Sequence, residues 1–145
     1  MTADAEPYGS GSLVVFDTSA WNRQRANDEI SGRWRATLAA GALSVCPVAA
    51  LEILASARDQ AAFHRLDAAL SALPQAPVTR TSCSAAIAAS RELGGSRRLP
   101  AADYLIAAAA AERGAAILHY DRHFEPLCEA LGIDSVWLAE PGSLD

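Results

Sequence analysis

Short apolar runs alternate with alanine-rich stretches along most of this 145-residue chain. Five apolar runs have the length and flanking residues of buried strands, at residues 13–16, 43–46, 76–79, 115–120 and 135–138. The stretches between them predict helices, at residues 22–40, 48–58, 61–73, 82–93, 101–113 and 124–131. This alternation predicts an α/β fold in which helices cover both faces of a parallel sheet.

The length fits a single domain, because a chain of this size buries a core without disulfides or a structural metal. We expect residues 1–12, which are small, acidic and rich in Gly and Ser, to form a flexible leader, and residues 13–145 to form the domain. The leader does not have the pattern of a secretory signal, and no segment is apolar over the width of a bilayer. The three cysteines support neither a disulfide framework nor a zinc motif. We therefore expect a cytoplasmic protein without a membrane partner.

Four acids stand where apolar residues would be expected. Asp17 ends the run LVVF, Glu52 interrupts VAALEIL, Asp103 opens ADYLIAAAAA, and Asp121 follows AAILHY. A buried carboxylate is costly unless it is paired or bound to a metal, so four of them suggest one shared cation. Acids that end parallel strands face one crevice, and an acid in the first turn of a helix is favoured by the helix dipole.

The types of ligand predict the kind of metal. Carboxylates without paired His or Cys favour Mg²⁺, or Mn²⁺ as its substitute, over Zn²⁺. One or two such ions could hydrolyse a phosphodiester with activated water, so no protein nucleophile would be needed. The chain contains no lysine, which excludes P-loop and Schiff-base mechanisms.

Other polar residues near these acids are candidates for supporting roles. The net charge of -5 argues against a surface coated in positive charge, although it leaves local contacts with nucleic acid open. Arg97 and Arg98, just before Asp103, are candidates for contact with RNA phosphates. Thr18 and Ser19 either cap the first helix, which is the favoured interpretation, or orient a metal-bound water.

Several segments carry a resemblance to a known family. They are DTSAW at residues 17–21, the helix containing Glu52, RLPAADYLIAAAAAERG at 98–114, LHYDRHF at 118–124 and WLAEPGSL at 137–144. With these motifs the chain resembles the PIN-domain ribonucleases, and most closely the VapC-type toxins of toxin–antitoxin pairs. The resemblance implies a PIN-like five-stranded parallel sheet and Mg²⁺-dependent RNA cleavage. It also implies a VapB-like antitoxin and a homodimer, or a heterotetramer or larger assembly with the antitoxin.

The resemblance also assigns residues. Asp17, Glu52, Asp103 and Asp121 match the catalytic, metal-binding acidic quartet of the family one for one. Some relatives carry a further acid two residues after the fourth, where this chain has His123.

Two other functions stay open at this point. A PIN-like module could bind RNA or a protein without cleaving, and a DNA-directed or repair nuclease would use the same acids. The intact quartet favours the ribonuclease, because a binding module gains nothing from clustered like charges. The histidines His64, His119 and His123 are interpreted as structural, and Trp21 and Trp34 as core or interface residues.

Overall fold

A computed structural model describes residues 5–95 and 98–144. Its centre is a parallel sheet of four strands, β1 (Val14–Phe16), β2 (Leu43–Val45), β3 (Ala116–His119) and β4 (Ser135–Trp137), in the order β2-β1-β3-β4. Within the described ranges the helices are α1 (Thr18–Trp21), α2 (Asp28–Ala39), α3 (Pro47–Ala55), α4 (Gln60–Ser71), α5 (Arg80–Leu93), α6 (Ala101–Arg113) and α7 (Phe124–Leu131). The predicted α/β architecture with a parallel sheet is confirmed.

The strand order creates a crevice in the middle of the sheet. The chain passes from β1 outward to β2 and then returns to β3 on the other side of β1. Ligands of parallel sheets bind at such a reversal, beyond the carboxyl ends of the strands. The ends of β1 and β3 are held together there, because the Asp17 backbone N–H donates to the Leu118 carbonyl at 2.9 Å.

The core extends over both faces of the sheet. Val14, Val15 and Phe16 of β1 are all fully buried, and successive strand residues point to opposite faces, so both faces are covered. Phe16 packs against Trp21 and Trp34, with ring centroids 5.5 and 5.2 Å away. Both tryptophans therefore pack against the core, in agreement with the prediction that they are core or interface residues.

The segment predicted as a fifth strand, residues 76–79, is not a strand. The pairing in this region is one isolated bridge between Gln75 and Val45, with hydrogen bonds from Val45 N to Pro74 O and from Ala76 N to Val45 O. Strand pairing does not continue beyond this bridge, because Thr79 caps α5 by accepting a hydrogen bond from Ser82 N at 3.1 Å. The segment between Pro74 and this cap therefore stays outside the regular strands.

The prediction of a flexible leader is wrong for residues 5–12, while residues 1–4 lie outside the described part. Tyr8, in a 3₁₀ turn at Tyr8–Gly11, is fully buried. Its backbone N–H donates to Thr37 Oγ1 at 2.8 Å, and its hydroxyl donates to the Leu138 carbonyl at 2.7 Å. The Arg33 guanidinium lies over its ring, 4.1 Å from the centroid. One buried aromatic side chain thus fixes a segment whose composition predicts disorder.

The helix predicted at residues 22–40 begins later than expected. α1 ends at Trp21 and α2 begins at Asp28, because Asn27 caps the second helix by accepting a hydrogen bond from Ile30 N at 2.9 Å. Asp28 and Glu29 stand in the first turn, where the helix dipole favours acids. Among residues 5–95 and 98–144, no helix has both the length and the apolar character needed to cross a bilayer.

Candidate metal centre

Asp17 forms the buried side of the candidate site. It follows β1 directly and caps α1, since its Oδ2 accepts a hydrogen bond from Ser19 N at 3.0 Å. Only 5% of the residue is exposed. Burial raises the pKa of Asp17, the Ser19 hydrogen bonds oppose this effect, and the charge of Glu52 adds to it.

Thr18 and Ser19 do not cap the helix, because Asp17 occupies that position. The Thr18 hydroxyl donates to Glu52 Oε1 at 2.8 Å, so it fixes an otherwise exposed carboxylate of α3 beside Asp17. The Ser19 hydroxyl accepts a hydrogen bond from Tyr120 N at 2.9 Å. Both hydroxyls therefore position parts of the site, and neither shows the capping role that the sequence favoured.

Asp103 enters the site from the first turn of α6. Its side chain is 13% exposed, and the pKa of Asp103 is raised to about 6. Burial is the largest cause, followed by the charge of Asp17 and, more weakly, that of Asp121, while a hydrogen bond from His123 opposes the shift. The raised pKa shows that burial and repulsion outweigh the stabilising contact.

Asp121 and His123 lie in the loop after β3. Asp121 Oδ1 accepts a hydrogen bond from His123 N at 3.0 Å. His123 Nδ1 is 3.1 Å from Asp103 Oδ2 and 3.4 Å from Asp121 Oδ1. One atom from each of these three residues lies within 4.8 Å of the other two. The interpretation of His123 as structural did not include these contacts, although the resemblance marks the same position as that of a further acid in some relatives.

His119, at the end of β3, contacts this loop from the protein interior. It is fully buried, its Nε2 lies 2.6 Å from Ser135 Oγ, and its Nδ1 accepts a hydrogen bond from Asp121 N at 3.2 Å. Burial, as the largest cause, lowers the pKa of His119 to about 4. A neutral ring with both nitrogens engaged holds the turn that carries Asp121, in keeping with a structural role.

The four predicted acids share one electrostatic neighbourhood. The charge of Glu52 raises the pKa of Asp17, and the charges of Asp17 and Asp121 raise that of Asp103. Carboxylate oxygens held close together, at the expense of raised pKa values, are the donors that a hard divalent cation requires. The residues present therefore fit Mg²⁺ or Mn²⁺.

The two candidate RNA-contacting arginines receive less support. Arg98 is exposed, ahead of α6, and Arg97 lies outside the described residues. Their contact with RNA stays a prediction.

Comparison with known proteins identifies the family. The PIN domain family matches residues 14–129, a range that contains all four acids. Ribonuclease VapC18 of Mycobacterium tuberculosis is 33% identical over 137 residues, which cover 91% of this chain and 99% of the relative.

Solved structures agree in fold. The DNA-bound VapBC complex of Salmonella typhimurium matches with a TM-score of 0.69 and 17% identity, over 88% of this chain and 99% of the matched chain. VapBC-5 of Mycobacterium tuberculosis, from the VapBC family of toxin–antitoxin systems, matches with a TM-score of 0.62 and 22% identity, over 86% and 97%. The chain belongs to the PIN domain family and is of the VapC type.

Proposed function

We propose that this protein is a metal-dependent endoribonuclease that acts as the toxin of a toxin–antitoxin pair. The observation that carries the proposal is the convergence of Asp17, Glu52, Asp103 and Asp121 on one electrostatic neighbourhood at the centre of the sheet. A relative is named a ribonuclease, and a structural neighbour belongs to a toxin–antitoxin system, which supports this choice.

Mg²⁺ is the proposed cofactor, with Mn²⁺ as a substitute, and the four acids would hold it. When bound, the ion supplies a water of lowered pKa and stabilises negative charge on the phosphate. The fit rests on the donor set, which is rich in carboxylate oxygen and free of thiolate.

The chain's own residues fix these carboxylates before substrate arrives. Ser19 N holds Asp17, the Thr18 hydroxyl holds Glu52, and His123 N holds Asp121. These hydrogen bonds restrict the orientation of each carboxylate. Such preorganisation lowers the cost of ordering the site during binding and reaction.

RNA is the proposed substrate, with Arg97 and Arg98 as candidates for phosphate contact. The proposed partner is a VapB-like antitoxin, with a homodimer of the toxin or a heterotetramer or larger assembly as the complex. The proposed location of this activity is the cytoplasm, where the protein would meet its RNA substrate.

The test is the substitution Asp103→Asn. Asn keeps the size of Asp but removes the charge that would hold the cation, so cleavage of total cellular RNA with Mg²⁺ should fall about a hundredfold or more. RNA binding should persist, because the arginines and not this acid would hold the phosphates. Melting curves with EDTA and with Mg²⁺ on the same preparations report whether the variant is folded and whether it binds the metal.

Asp134→Asn is the matched control. Asp134 is exposed and precedes β4, at the amino ends of the parallel strands, whereas the crevice lies beyond their carboxyl ends. This variant should cleave RNA as the wild type does. A folded Asp103→Asn protein with wild-type cleavage would contradict the assignment of the site.

A further inference from the structure

The His123 side chain contacts acids of the site and does not cap the helix that it precedes. His123 stands at the start of α7, but its side chain makes no capping hydrogen bond. Its backbone N–H holds Asp121, and 42% of its side chain is exposed. The ring nevertheless directs Nδ1 to the two carboxylates of Asp103 and Asp121.

The distances around Nδ1 are those of neighbouring ligands. In an octahedral site with ligand bonds of about 2.1 Å, adjacent ligand atoms lie about 3 Å apart. His123 Nδ1 lies 3.1 Å from Asp103 Oδ2 and 3.4 Å from Asp121 Oδ1. A ring that only oriented Asp103 would need one of these contacts, whereas a ligand of a shared cation needs both.

An imidazole nitrogen alters which metal a carboxylate site prefers. Mg²⁺ is bound by oxygen ligands and retains much of its water, whereas transition metals accept nitrogen readily. Mn²⁺ is the transition metal closest to Mg²⁺ in its preference for oxygen, so it tolerates a mixed set of carboxylates and one imidazole.

We propose that His123 is a metal ligand through Nδ1, beside Asp103 and Asp121, and that it shifts the preference of the site from Mg²⁺ towards Mn²⁺. The inference rests on the proposed function, because it concerns the same metal centre. It adds a nitrogen ligand to a set that the sequence describes as carboxylates alone.

Pulsed EPR of Mn²⁺ bound to the full chain tests this directly. A bound imidazole nitrogen modulates the electron spin echo of Mn²⁺, and this modulation should be present in the wild type. In His123→Asn the amide N–H can still donate to Asp103, but an amide nitrogen does not bind a metal. This variant should lose the nitrogen modulation, even if its amide oxygen binds the ion.

Two further variants test the metal preference and provide a control. His123→Asp replaces the nitrogen with an oxygen ligand and should raise the affinity for Mg²⁺ relative to Mn²⁺. His64→Asn is the matched control, because His64 is exposed on α4 and makes an edge contact with Phe63. It should retain the wild-type signal and Kd.

The outcomes separate this inference from the proposed function. If the wild type binds no Mn²⁺, or if Asp103→Asn binds it equally well, the metal centre itself is contradicted. If Mn²⁺ binds in a manner that depends on Asp103 but without nitrogen modulation, only the role of His123 is overturned. Nitrogen modulation that persists in His123→Asn would overturn it as well.

Discussion

At the scale of single residues, the candidate site holds carboxylates close enough to repel one another. Asp103 and Asp17 are buried acids whose pKa values are both raised, and in each case another acid of the quartet adds to the effect of burial. A protein gains no stability from this arrangement without a cation. The ionised acids of the site therefore lower the stability of the folded protein.

The pH dependence of stability should reveal this cost at Asp103. The carboxyl is ionised in the unfolded chain above its ordinary pKa of 3.8, but in the folded protein only above about 6. The folded form thus binds its proton more tightly, so the unfavourable charge develops as the pH rises through this window and is complete above it. In EDTA, Asp103→Asn should gain stability over the wild type that is larger at pH 7.5 than at pH 4.5, by on the order of 2 kcal/mol.

Urea denaturation at the two pH values measures the difference. Asp134→Asn makes the same change at an exposed position and serves as the control. An equal gain for Asp103→Asn at both pH values would show that the Asp103 carboxylate is not destabilised in the fold. Added Mg²⁺ should stabilise the wild type less at pH 4.5, because a protonated carboxyl is a poor ligand.

The sequence revealed the acids of the site but not their supporting contacts. Asp17 and Asp121 were predictable because each follows a buried strand, and Asp103 because it opens an apolar helix. The roles of Thr18 and His123 depend on contacts with α3 and α6, which are distant in the chain. Local patterns such as helix capping dominate a sequence-based interpretation, and here they led to the wrong role for Thr18.

At the scale of elements, the N-terminal segment is an integral part of the fold. The Tyr8 hydroxyl bonds to the carbonyl of Leu138, just beyond β4, and its backbone bonds to Thr37 of α2. This turn therefore joins a helix to the edge strand. Composition alone could not predict it, because the surrounding Gly and Ser residues hide one aromatic anchor.

Tyr8→Phe should measure the strength of this connection. Phe keeps the ring under Arg33 but leaves the buried Leu138 carbonyl without its donor, so unfolding free energy should fall by about 1 to 2 kcal/mol. Tyr104→Phe is the control, since the Tyr104 hydroxyl makes no hydrogen bond within the described ranges. Equal stability of the two variants in urea would contradict the role of the Tyr8 hydroxyl.

Most other elements followed from periodicity, and the failures have a common cause. The bounds of α6 and α7 match the predicted ranges, and a glycine directly follows the last residue of each helix. The fifth strand and the long first helix failed where one polar side chain, Thr79 or Asn27, begins a new helix. Both residues are good N-caps, so the signal was present, but the flanking apolar or helix-forming residues outweighed it.

At the scale of the whole molecule, the topology assembles the site from four separate segments. The crossover from β2 back to β3 brings the ends of β1 and β3 together, while α3 and α6 supply the remaining acids. Local unfolding of any of these segments should therefore disperse the site. A nuclease of this kind is controlled most directly by a partner that occupies the assembled cleft.

The proposed antitoxin should act in this way. A segment bearing Arg or Lys can pair with the acidic quartet and exclude either the metal or the RNA. Expression of the wild type alone should arrest growth, and coexpression with the cognate antitoxin should restore it and yield a stable complex. Asp103→Asn should be harmless when expressed alone, yet should still copurify with the antitoxin, because the other three acids and the rest of the surface remain. A wild-type protein that is harmless alone and retains no small protein from its own operon would contradict the toxin role, even if purified protein cleaved RNA.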